Sequence, residues 1–557
     1  MRSLTVVVAA LAALCTTRLC IAQADPNPRR PNIVLVLADD LGYSDLGCYG
    51  SEIRTPHLDA LAARGLRFTQ FYNTSRCCPT RASLLTGLYP HQAGIGRMTM
   101  DAGGRFPGYR GVLGRNTVTV AEALRTAGYR TAMVGKWHVS PTVEGPGHMN
   151  RLANRQIADT FSDLATYPTA RGFERYYGNI WGVVNYFDPF SLVDGTAPVR
   201  EVPKDYYITD ALTDRAARYV DEFAPGAKGG TPFFLYVAHV APHWPLHAPE
   251  ADVDGYVETY KAGWDSVRAA RHARQAGLGL RPPGDLPPPP PNRAKTWDDN
   301  PDRDWLARAM ATHAAMVTRM DDGVGRLVKK LEQAGVLDDT LILFLSDNGA
   351  SPEAYERPGF DRPAETRDGR RITYPPDKTV PPGREDTFFG FGPGWANVAN
   401  TPLRGWKADP YEGGICTPLI AHWPRAMGDR GGAVTPQVGH VIDVMPTCLE
   451  LAGAAYPAEV NGTPVPPVEG KSLLPVLRGG RREGHDTIAW EHFNGRALRR
   501  GDWKLVARAN RRWELYDLSN DRTEQHDLAA AHPDRVKEMS EAWGQWARRA
   551  NVYPAPD

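Results

Sequence analysis

Near its N-terminus the chain reads Ile33-Val34-Leu35-Val36-Leu37-Ala38-Asp39-Asp40, a continuous apolar run that ends in two carboxylates. Three later runs share this form: residues 132–134 precede Lys136 and His138, residues 233–237 precede His239 and His243, and residues 341–345 precede Asp347 and Asn348. Continuous apolar strands, in contrast to alternating ones, are typical of a parallel sheet that is covered by helices on both faces. The pattern therefore predicts an α/β fold with a mostly parallel sheet between helices.

Helical patterns lie between these runs, at residues 118–127 and 316–334. In the second segment, apolar residues recur at the spacing of one buried helix face: Met316, Met320, Val324, Leu327 and Leu331. In such sheets ligands bind outside the carboxyl ends of the strands. We therefore expect the polar residues that follow the four runs to meet at one rim.

The composition is that of a large globular chain. It has 557 residues, of which 42% are hydrophobic and 23% charged, and its net charge is +1. This apolar content is enough for a large core. The near-neutral charge balance gives no indication of nucleic acid or an anionic membrane as a partner.

The N-terminus has the pattern of a secretory signal peptide over residues 1–24. Met1-Arg2 leads into an apolar run at residues 4–14, and Ala22-Gln23-Ala24 offers a small-residue cleavage site. The run is too short to span a bilayer and no later segment is long enough, so we expect no membrane span. The sequence predicts an exported protein, periplasmic or secreted.

Five cysteines follow this segment: Cys48, Cys77, Cys78, Cys416 and Cys448. An odd number in an exported chain indicates a reactive or modified cysteine. Their spacing matches no zinc framework, and the sequence leaves the pairing of the others open.

Two polar pairs at strand ends, Asp39-Asp40 and Asp347-Asn348, offer three carboxylates and one amide carbonyl. Either pair alone is typical of a turn or a helix N-cap. Brought together, the carboxylates would repel one another unless a hard divalent cation bound them. Ca²⁺ tolerates irregular oxygen coordination and Mg²⁺ requires a near-octahedral set, so the residues by themselves leave both ions open.

A thiol stands at the start of a predicted short helix in the sequence Cys77-Cys78-Pro79-Thr80-Arg81-Ala82-Ser83-Leu84-Leu85-Thr86-Gly87. Proline suits the first helical turn, and the glycine stands where a left-handed C-cap would fall. Free backbone N–H groups at the helix start, together with the guanidinium of Arg81, would bind an oxyanion. The pattern predicts an anion site built around a nucleophile.

This motif resembles the signature of type I sulfatases, which is Cys-X-Pro-Ser/Thr/X-Arg followed by Leu-Thr-Gly. The resemblance extends from residue 31 to about residue 550 and implies an alkaline-phosphatase-like fold. It also implies that Cys77 is oxidised to Cα-formylglycine, whose hydrate is the nucleophile. The oxidation would require a separate partner, a formylglycine-generating or anaerobic sulfatase-maturating enzyme.

The resemblance assigns roles to the strand-end residues. It implies that the calcium ligands are Asp39, Asp40, Asp347 and Asn348, together with residue 77. Gly135-Lys136-Trp137-His138 is similar to an element in which the lysine contacts sulfate and the histidine assists the nucleophile's hydroxyl.

The remaining catalytic residues are assigned in the same way. His243 matches the active-site histidine of a Pro-His-X-Pro element, whereas His239 and His247 are expected to pack in the interior or to support the active-site residues from behind. Lys407, ahead of a Glu-Gly-Gly turn, matches the second lysine that contacts sulfate. Arg81 would stabilise the ionised hydroxyl, and Cys416 stands where many members have arginine.

The domain organisation follows from the same comparison and from the pattern. We expect a catalytic domain at residues 25–480 and a C-terminal subdomain at residues 481–557, with short antiparallel strands at 498–499, 503–507 and 513–518 and a helix at 532–549. A Pro-rich insertion at about residues 262–304 contains the run 287–291, which predicts a stiff, extended surface connection. The insertion could form a pocket wall or a disordered surface loop.

The expected function is hydrolysis of aryl or carbohydrate sulfate monoesters. Aromatic and polar residues at 176–188 could contact a substrate ring or pack in the core. Two alternatives are a phosphomonoester or phosphonate hydrolase of the same superfamily and a non-catalytic exported glycan-binding protein.

Overall fold

A computed structural model describes residues 30–556, apart from 101–104, 142–145, 155, 158, 281–285, 288–295, 429–430 and 461. The predicted signal peptide at residues 1–24 and most of the proline run at 287–291 lie outside the described residues. None of the described helices combines the length and the apolar character that are needed to cross a bilayer.

Most of the strands belong to one large mixed sheet. In the described part of the chain it has eleven strands: β1 (Asn32–Ala38), β2 (Leu66–Tyr72), β3 (Arg130–Gly135), β4 (Arg175–Asn179), β5 (Leu192–Asp194), β6 (Ala197–Pro198), β7 (Phe233–Ala238), β8 (Thr340–Ser346), β9 (Cys416–His422), β10 (Ala433–Thr435) and β11 (Gly439–His440). A small hairpin consists of β12 (Glu459–Val460) and β13 (Thr463–Pro464).

The centre of the sheet is parallel, as predicted. Strands run in the order β10-β2-β9-β8-β1-β7-β3-β4-β5-β6, with β11 also paired to β2. The pairs β8-β1, β1-β7, β7-β3 and β3-β4 are parallel, whereas β9 pairs antiparallel with both β8 and β2. All four polar clusters predicted from the sequence follow strands of this parallel centre.

Helices lie on both faces of the large sheet, and the last helix of the chain belongs to the C-terminal part. The described α-helices are α1 (Pro56–Ala63), α2 (Cys77–Thr86), α3 (Pro90–Ala93), α4 (Val120–Thr126), α5 (Pro146–Ala153), α6 (Ile208–Lys228), α7 (Glu250–Tyr260), α8 (Gly263–Gly277), α9 (Arg303–Gln333), α10 (Gly392–Ala399), α11 (Glu412–Ile415), α12 (Pro424–Met427), α13 (Val444–Ala452), α14 (Leu474–Leu477) and α15 (Pro533–Arg549). Short 3-10 helices lie at Gly47–Tyr49, Leu164–Thr166, Pro168–Arg171 and Val441–Asp443.

Strand β1 shows why the central strands are apolar throughout. Ile33, Leu35 and Leu37 pack into one core with residues of α2, α4 and α13. Val34 and Val36 point the other way and pack into a second core with residues of α6 and α9. Because both faces of the strand are buried, neither face needs polar side chains.

The predicted helices are present with different limits. The segment 118–127 corresponds to α4 (Val120–Thr126), and the segment 316–334 corresponds to the second half of α9 (Arg303–Gln333). Helix α9 begins earlier than predicted because its first half is also largely buried, at Ala307 and at residues 309–315. An apolar pattern that covers more than one helix face does not show the helical period clearly.

The C-terminal part forms the predicted antiparallel sheet and helix. Its strands are β14 (Ile488–His492), β15 (Gly495–Arg500), β16 (Trp503–Ala507) and β17 (Glu514–Asp517), in that spatial order. Strand β14 was not predicted. Helix α15 packs Met539, Trp543 and Trp546 against Leu498 and Leu505 in a third core.

Part of the predicted insertion at residues 262–304, for which the sequence left a pocket wall and a disordered surface loop open, is an ordered helix. Residues Gly263–Gly277 form α8, whose Trp264 and Arg271 are buried. Arg271 makes ion pairs of 2.7 Å with both Asp45 and Glu52. Two carboxylates from a distant part of the chain therefore stabilise the buried position of this basic helix.

Candidate active site

The two acidic strand ends meet because β1 and β8 are neighbours in register. Ala38 pairs with Ser346, so the residues that follow each of them emerge side by side. The Asp40 backbone N–H donates to Asp347 Oδ1 at 3.2 Å, and Asn348 Nδ2 donates to Asp40 Oδ1 at 2.6 Å. Four polar groups from two distant segments thus form one buried cluster.

This cluster has oxygens with no protein partner. Asp39 Oδ1 and Asn348 Oδ1 are buried and accept no hydrogen bond from any described residue. Burial, followed by the charge of Asp347, raises the pKa of Asp39 well above its ordinary value, and burial also raises the pKa of Asp40. Buried oxygens without partners and crowded carboxylates are the donor set that a hard divalent cation requires, so the residues present fit such an ion.

Helix α2 begins at Cys77, as predicted, and ends at Gly87, whose φ of 69° is left-handed. The Cys77 thiol is buried, and its sulfur lies within 4.8 Å of the Cys78 sulfur and of a ring nitrogen of His138. A hydrogen bond from Cys78 and the charge of Lys136 outweigh burial and hold the pKa of Cys77 well below its ordinary value. All five described cysteines are free.

Arg81 and Lys136 connect the cysteine helix to the acidic cluster. Arg81 Nη2 lies 2.8 Å from Asp347 Oδ2 and 3.5 Å from Asp39 Oδ2, while its Nη1 donates to the Lys136 carbonyl at 2.9 Å. Lys136 Nζ donates to Asp39 Oδ2. These contacts place two positive charges beside Cys77, where they could hold the oxygens of an anion.

His138, three residues after the end of β3, adopts a left-handed backbone conformation with φ of 55°. Non-glycine residues in this region are uncommon and are found often at functional sites. The His138 ring contacts Trp181 edge to face at 5.0 Å. Burial lowers the pKa of His138 to about 4, so its imidazole is neutral and able to accept a proton.

His243 lies in the loop after β7 and faces Lys407. Tyr186 donates a hydrogen bond of 2.8 Å to the His243 carbonyl and so helps to fix the loop. His243 Nδ1 can only donate to the Trp244 carbonyl, which leaves Nε2 as an acceptor for Lys407 Nζ at 3.2 Å. Lys407 Nζ also lies 2.9 Å from Asp40 Oδ2, so this pair adjoins the acidic cluster.

The other two histidines of this segment pack in the interior. His247 Nε2 donates to the Thr387 carbonyl at 2.6 Å, and its Nδ1 accepts from the Tyr186 backbone N–H at 3.3 Å. Burial lowers the pKa of His239 and of His247 to about 4. Both positions agree with the packing role expected from the sequence.

The aromatic residues at 176–188 serve mainly as packing groups. Tyr176, Trp181 and Tyr186 are buried, and Tyr176 donates to the Gly135 carbonyl at 3.0 Å behind the site. Their contacts favour the core alternative over direct stacking on a substrate ring. They still bear on the site because they support His138 and His243.

Two residues of the site were missed by the sequence analysis. Arg76, directly before Cys77, makes an ion pair of 2.9 Å with Glu353. Glu353 also contacts Lys407 at 3.1 Å. The position of Arg76 beside the motif and of Glu353 just after the Asp347 strand end were available signals, but neither residue has a distinctive spacing.

Known proteins of one family resemble this chain over most of its length. The family model for sulfatases matches residues 31–454, and the model described as N-sulphoglucosamine sulphohydrolase, C-terminal, matches residues 407–542. An arylsulfatase of Klebsiella aerogenes is 33% identical, with 80% of this chain and 92% of that protein covered. An uncharacterized sulfatase of Schizosaccharomyces pombe is 32% identical, with 95% of both chains covered.

The fold is also found in solved structures. The crystal structure of Ps i-CgsB in complex with k-i-k-neocarrahexaose is similar, with a TM-score of 0.63, 25% identity and 93% of both chains covered. The phosphonate monoester hydrolase of Agrobacterium radiobacter shares the fold, with a TM-score of 0.54 at 20% identity, 94% of this chain and 96% of that one being covered. Since the sulfatase model spans well over half of its length, the chain belongs to the sulfatase family and is a sulfuric ester hydrolase with an alkaline-phosphatase-like fold.

Proposed function

We propose that this protein is an exported hydrolase of aryl or carbohydrate sulfate monoesters whose nucleophile is formylglycine made from Cys77. The proposal is carried by the position of Cys77 at the first turn of α2, within 4.8 Å of His138 and beside the charges of Lys136 and Asp40. The sulfatase family generally uses a metal ion and formylglycine, which supports this chemistry. The complex of Ps i-CgsB with k-i-k-neocarrahexaose supports carbohydrate sulfates as one substrate class.

Asp39, Asp40, Asp347 and Asn348, with residue 77, would hold a divalent cation, and we propose Ca²⁺. The cluster is irregular and contributes one amide among three carboxylates, which suits Ca²⁺ better than Mg²⁺. When bound, such a cation offsets the crowded negative charge and favours the ionised form of a hydroxyl at position 77.

Sulfate monoesters resist hydrolysis because the ester is anionic and its alcohol leaves poorly. Lys136 and Lys407 contact different carboxylates of the acidic cluster, Asp39 and Asp40 respectively. In this arrangement they would hold the sulfuryl oxygens and offset their charge, while Arg81 stabilises the ionised hydroxyl.

Residue 77, once oxidised to an aldehyde and hydrated, has two hydroxyls on one carbon. It attacks sulfur through one of them, in line with the ester oxygen, and the His243–Lys407 pair protonates the departing alcohol. His138 then accepts the proton of the second hydroxyl, so that sulfate leaves and the aldehyde forms again. A serine or an unmodified cysteine lacks this second hydroxyl and would stop after the first step.

Maturation requires a partner, because the oxidation of Cys77 is assigned to a formylglycine-generating or anaerobic sulfatase-maturating enzyme. We further propose that residues 1–24 direct export and that residues 25–480 and 481–557 are the catalytic domain and the C-terminal subdomain. The separate antiparallel sheet β14-β15-β16-β17, with its own core against α15, supports the second boundary.

The proposal is tested by the mass of the peptide that contains position 77, isolated after expression in a host that installs formylglycine. The same preparation is assayed on an aryl sulfate and on its phosphate analogue. We expect the aldehyde mass, with faster turnover of the sulfate, and we expect Cys77→Ser to fold normally with no turnover. An active enzyme without the carbonyl would contradict the mechanism, and faster turnover of the phosphate would contradict the substrate class.

A further inference from the structure

Glu353, in the loop that follows β8, joins three parts of the active site. Its Oε1 accepts from Arg76 Nη2 at 2.9 Å, and its Oε2 accepts from Trp244 Nε1 at 2.8 Å and from Lys407 Nζ at 3.1 Å. One carboxylate thereby connects the residue before Cys77, the residue after His243 and the lysine of the proton-donating pair.

The contacts of Lys407 show what Glu353 contributes. An ammonium group has three N–H donors. Lys407 Nζ lies 2.9 Å from Asp40 Oδ2, 3.2 Å from His243 Nε2 and 3.1 Å from Glu353 Oε2, so each donor has one acceptor. Together these three acceptors hold Nζ in place. Glu353 is the one acceptor of the three that belongs neither to the acidic cluster nor to the histidine.

Substrate binding does not explain this carboxylate. The substrate is an anion, and a further negative charge beside Lys407 weakens the attraction for it. Charge alone would therefore favour a neutral residue at position 353. The side chain of Glu353 is only 17% exposed, so its charge is retained where solvent screens it poorly.

We propose that Glu353 is a positioning residue for the leaving group, which holds Lys407 against His243 so that this pair protonates a poorly leaving alcohol. The inference rests on the proposed function and narrows its substrate class to esters of weakly acidic alcohols, such as sugar hydroxyls and unactivated phenols. As the bond between sulfur and the ester oxygen breaks, its electron pair goes to that oxygen. The pair supplies a proton to the same oxygen and regains one from water.

Glu353→Gln, in the matured enzyme, tests this role. Glutamine keeps the size of the side chain, but its NH₂ group must face a donor of Arg76, Trp244 or Lys407, so the three contacts cannot all persist. The variant and the wild type are compared on sulfate esters of graded leaving ability, from 4-nitrophenyl sulfate to phenyl sulfate.

General acid catalysis contributes roughly 10² to 10⁴ in rate and matters most for poor leaving groups. We expect kcat of Glu353→Gln to fall about 100-fold on phenyl sulfate and less than about threefold on 4-nitrophenyl sulfate. We expect KM to stay the same or fall, because the site becomes more positive.

Two features keep the result interpretable. The ratio of the two rates is independent of the folded or matured fraction, because both substrates meet the same enzyme sample. Ser351→Ala is the matched control, since Ser351 Oγ contacts Glu353 Oε2 at 3.2 Å without contacting Lys407. This control should show the wild-type dependence on the leaving group.

An equal loss of rate on all esters, or a loss confined to KM, would overturn the positioning role and leave the sulfatase mechanism standing. No turnover of any sulfate ester by the matured wild type would instead overturn both the proposed function and this inference.

Discussion

Two buried aspartates of this protein differ in how completely their own chain satisfies them. Asp443, at the start of α13, accepts from the backbone N–H groups of His440 and Lys471, both at 2.9 Å. It also lies 2.6 Å from Arg482 Nη2 and 2.7 Å from His485 Nε2. Although burial opposes ionisation, the contacts of His485 and Arg482 lower the pKa of Asp443 to about 2.

Asp39 is equally buried but incompletely paired. Its Oδ2 contacts Lys136 and Arg81, its Oδ1 has no hydrogen bond from a described residue, and its pKa is raised well above the ordinary value by burial and by Asp347. A buried charged group that lacks a hydrogen-bond partner lowers the stability of the folded protein. The difference teaches that a complete set of partners marks a structural carboxylate, whereas an incomplete set marks one that an ion or a substrate completes.

The largest expected effect is that of Asp39→Asn. We expect kcat/KM to fall about 10³-fold, because one charge that holds the cation and the partner of Lys136 are lost together. In the presence of a chelator, the melting temperature should fall less than in Asp443→Asn, because relief of the repulsion from Asp347 offsets part of the loss of the Lys136 ion pair. Steady-state kinetics and thermal unfolding measure the two quantities on one preparation.

Asp443→Asn is the matched control and should behave in the opposite way, with normal turnover per folded molecule and reduced stability. If Asp39→Asn lost less than about tenfold in kcat/KM, or if it unfolded as easily as Asp443→Asn, the distinction between the two carboxylates would be wrong.

The next effect is stabilisation by the cation. A ligand that binds only the folded state at one hundred times its Kd adds about 2.7 kcal/mol to the free energy of unfolding. We expect Ca²⁺ to add this amount to the wild type and to Asp443→Asn, and to add almost nothing to Asp39→Asn. Urea unfolding with Ca²⁺ or with chelator measures the increment, and an equal increment in all three proteins would place the ion elsewhere.

A somewhat smaller effect concerns acid stability. Lowering the pKa of Asp443 from 3.8 to about 2 corresponds to roughly 2 kcal/mol of stability. Because the folded-state pKa is the lower one, this stability is present above pH 3.8 and is lost as the pH falls towards 2. The difference in unfolding free energy between the wild type and Asp443→Asn should therefore shrink over that window. A difference that stays constant with pH would show that the carboxylate charge is not what stabilises α13.

The sheet could be predicted because its central strands are apolar at consecutive positions, which indicates that both of their faces are buried. Six consecutive apolar residues ahead of Asp39 are compatible with few structures other than a buried strand, and the end of each such strand indicated where the polar groups meet at one rim. The burial of α8 could not be predicted in the same way. Nothing in the local sequence distinguishes Arg271 from an exposed basic residue, because its partners Asp45 and Glu52 lie more than two hundred positions away.

The same distinction applies to the site. Its motif residues could be located from sequence because their spacing is characteristic, and the structure brings Cys77, Lys136 and His243 to one rim. Glu353 could not be located because its meaning depends on three-dimensional partners. A glutamate in a loop is normally exposed, and nothing local shows that Arg76 and Trp244 will meet its two oxygens.

The smallest expected effect concerns the space around the His138 ring and does not involve a change of charge. A Cβ placed on Gly182 would lie 2.2 Å from Cε1 and 2.4 Å from Nδ1 of His138, so the imidazole occupies the room that glycine leaves. Gly182→Ala must therefore displace the ring from its place beside Trp181. We expect kcat to fall about tenfold, since a displacement of 1 Å at a reacting group can cost up to about 10².

Gly226→Ala serves as the control, because a Cβ at that position in α6 meets nothing closer than 3.7 Å. It should leave kcat unchanged. The free energy of unfolding should change far less in Gly182→Ala than in Asp443→Asn, because Gly182→Ala perturbs only one ring at the rim. If Gly182→Ala kept full activity, then the position of the His138 ring would not limit turnover. The assignment of His138 as the group that accepts the second proton would then be wrong.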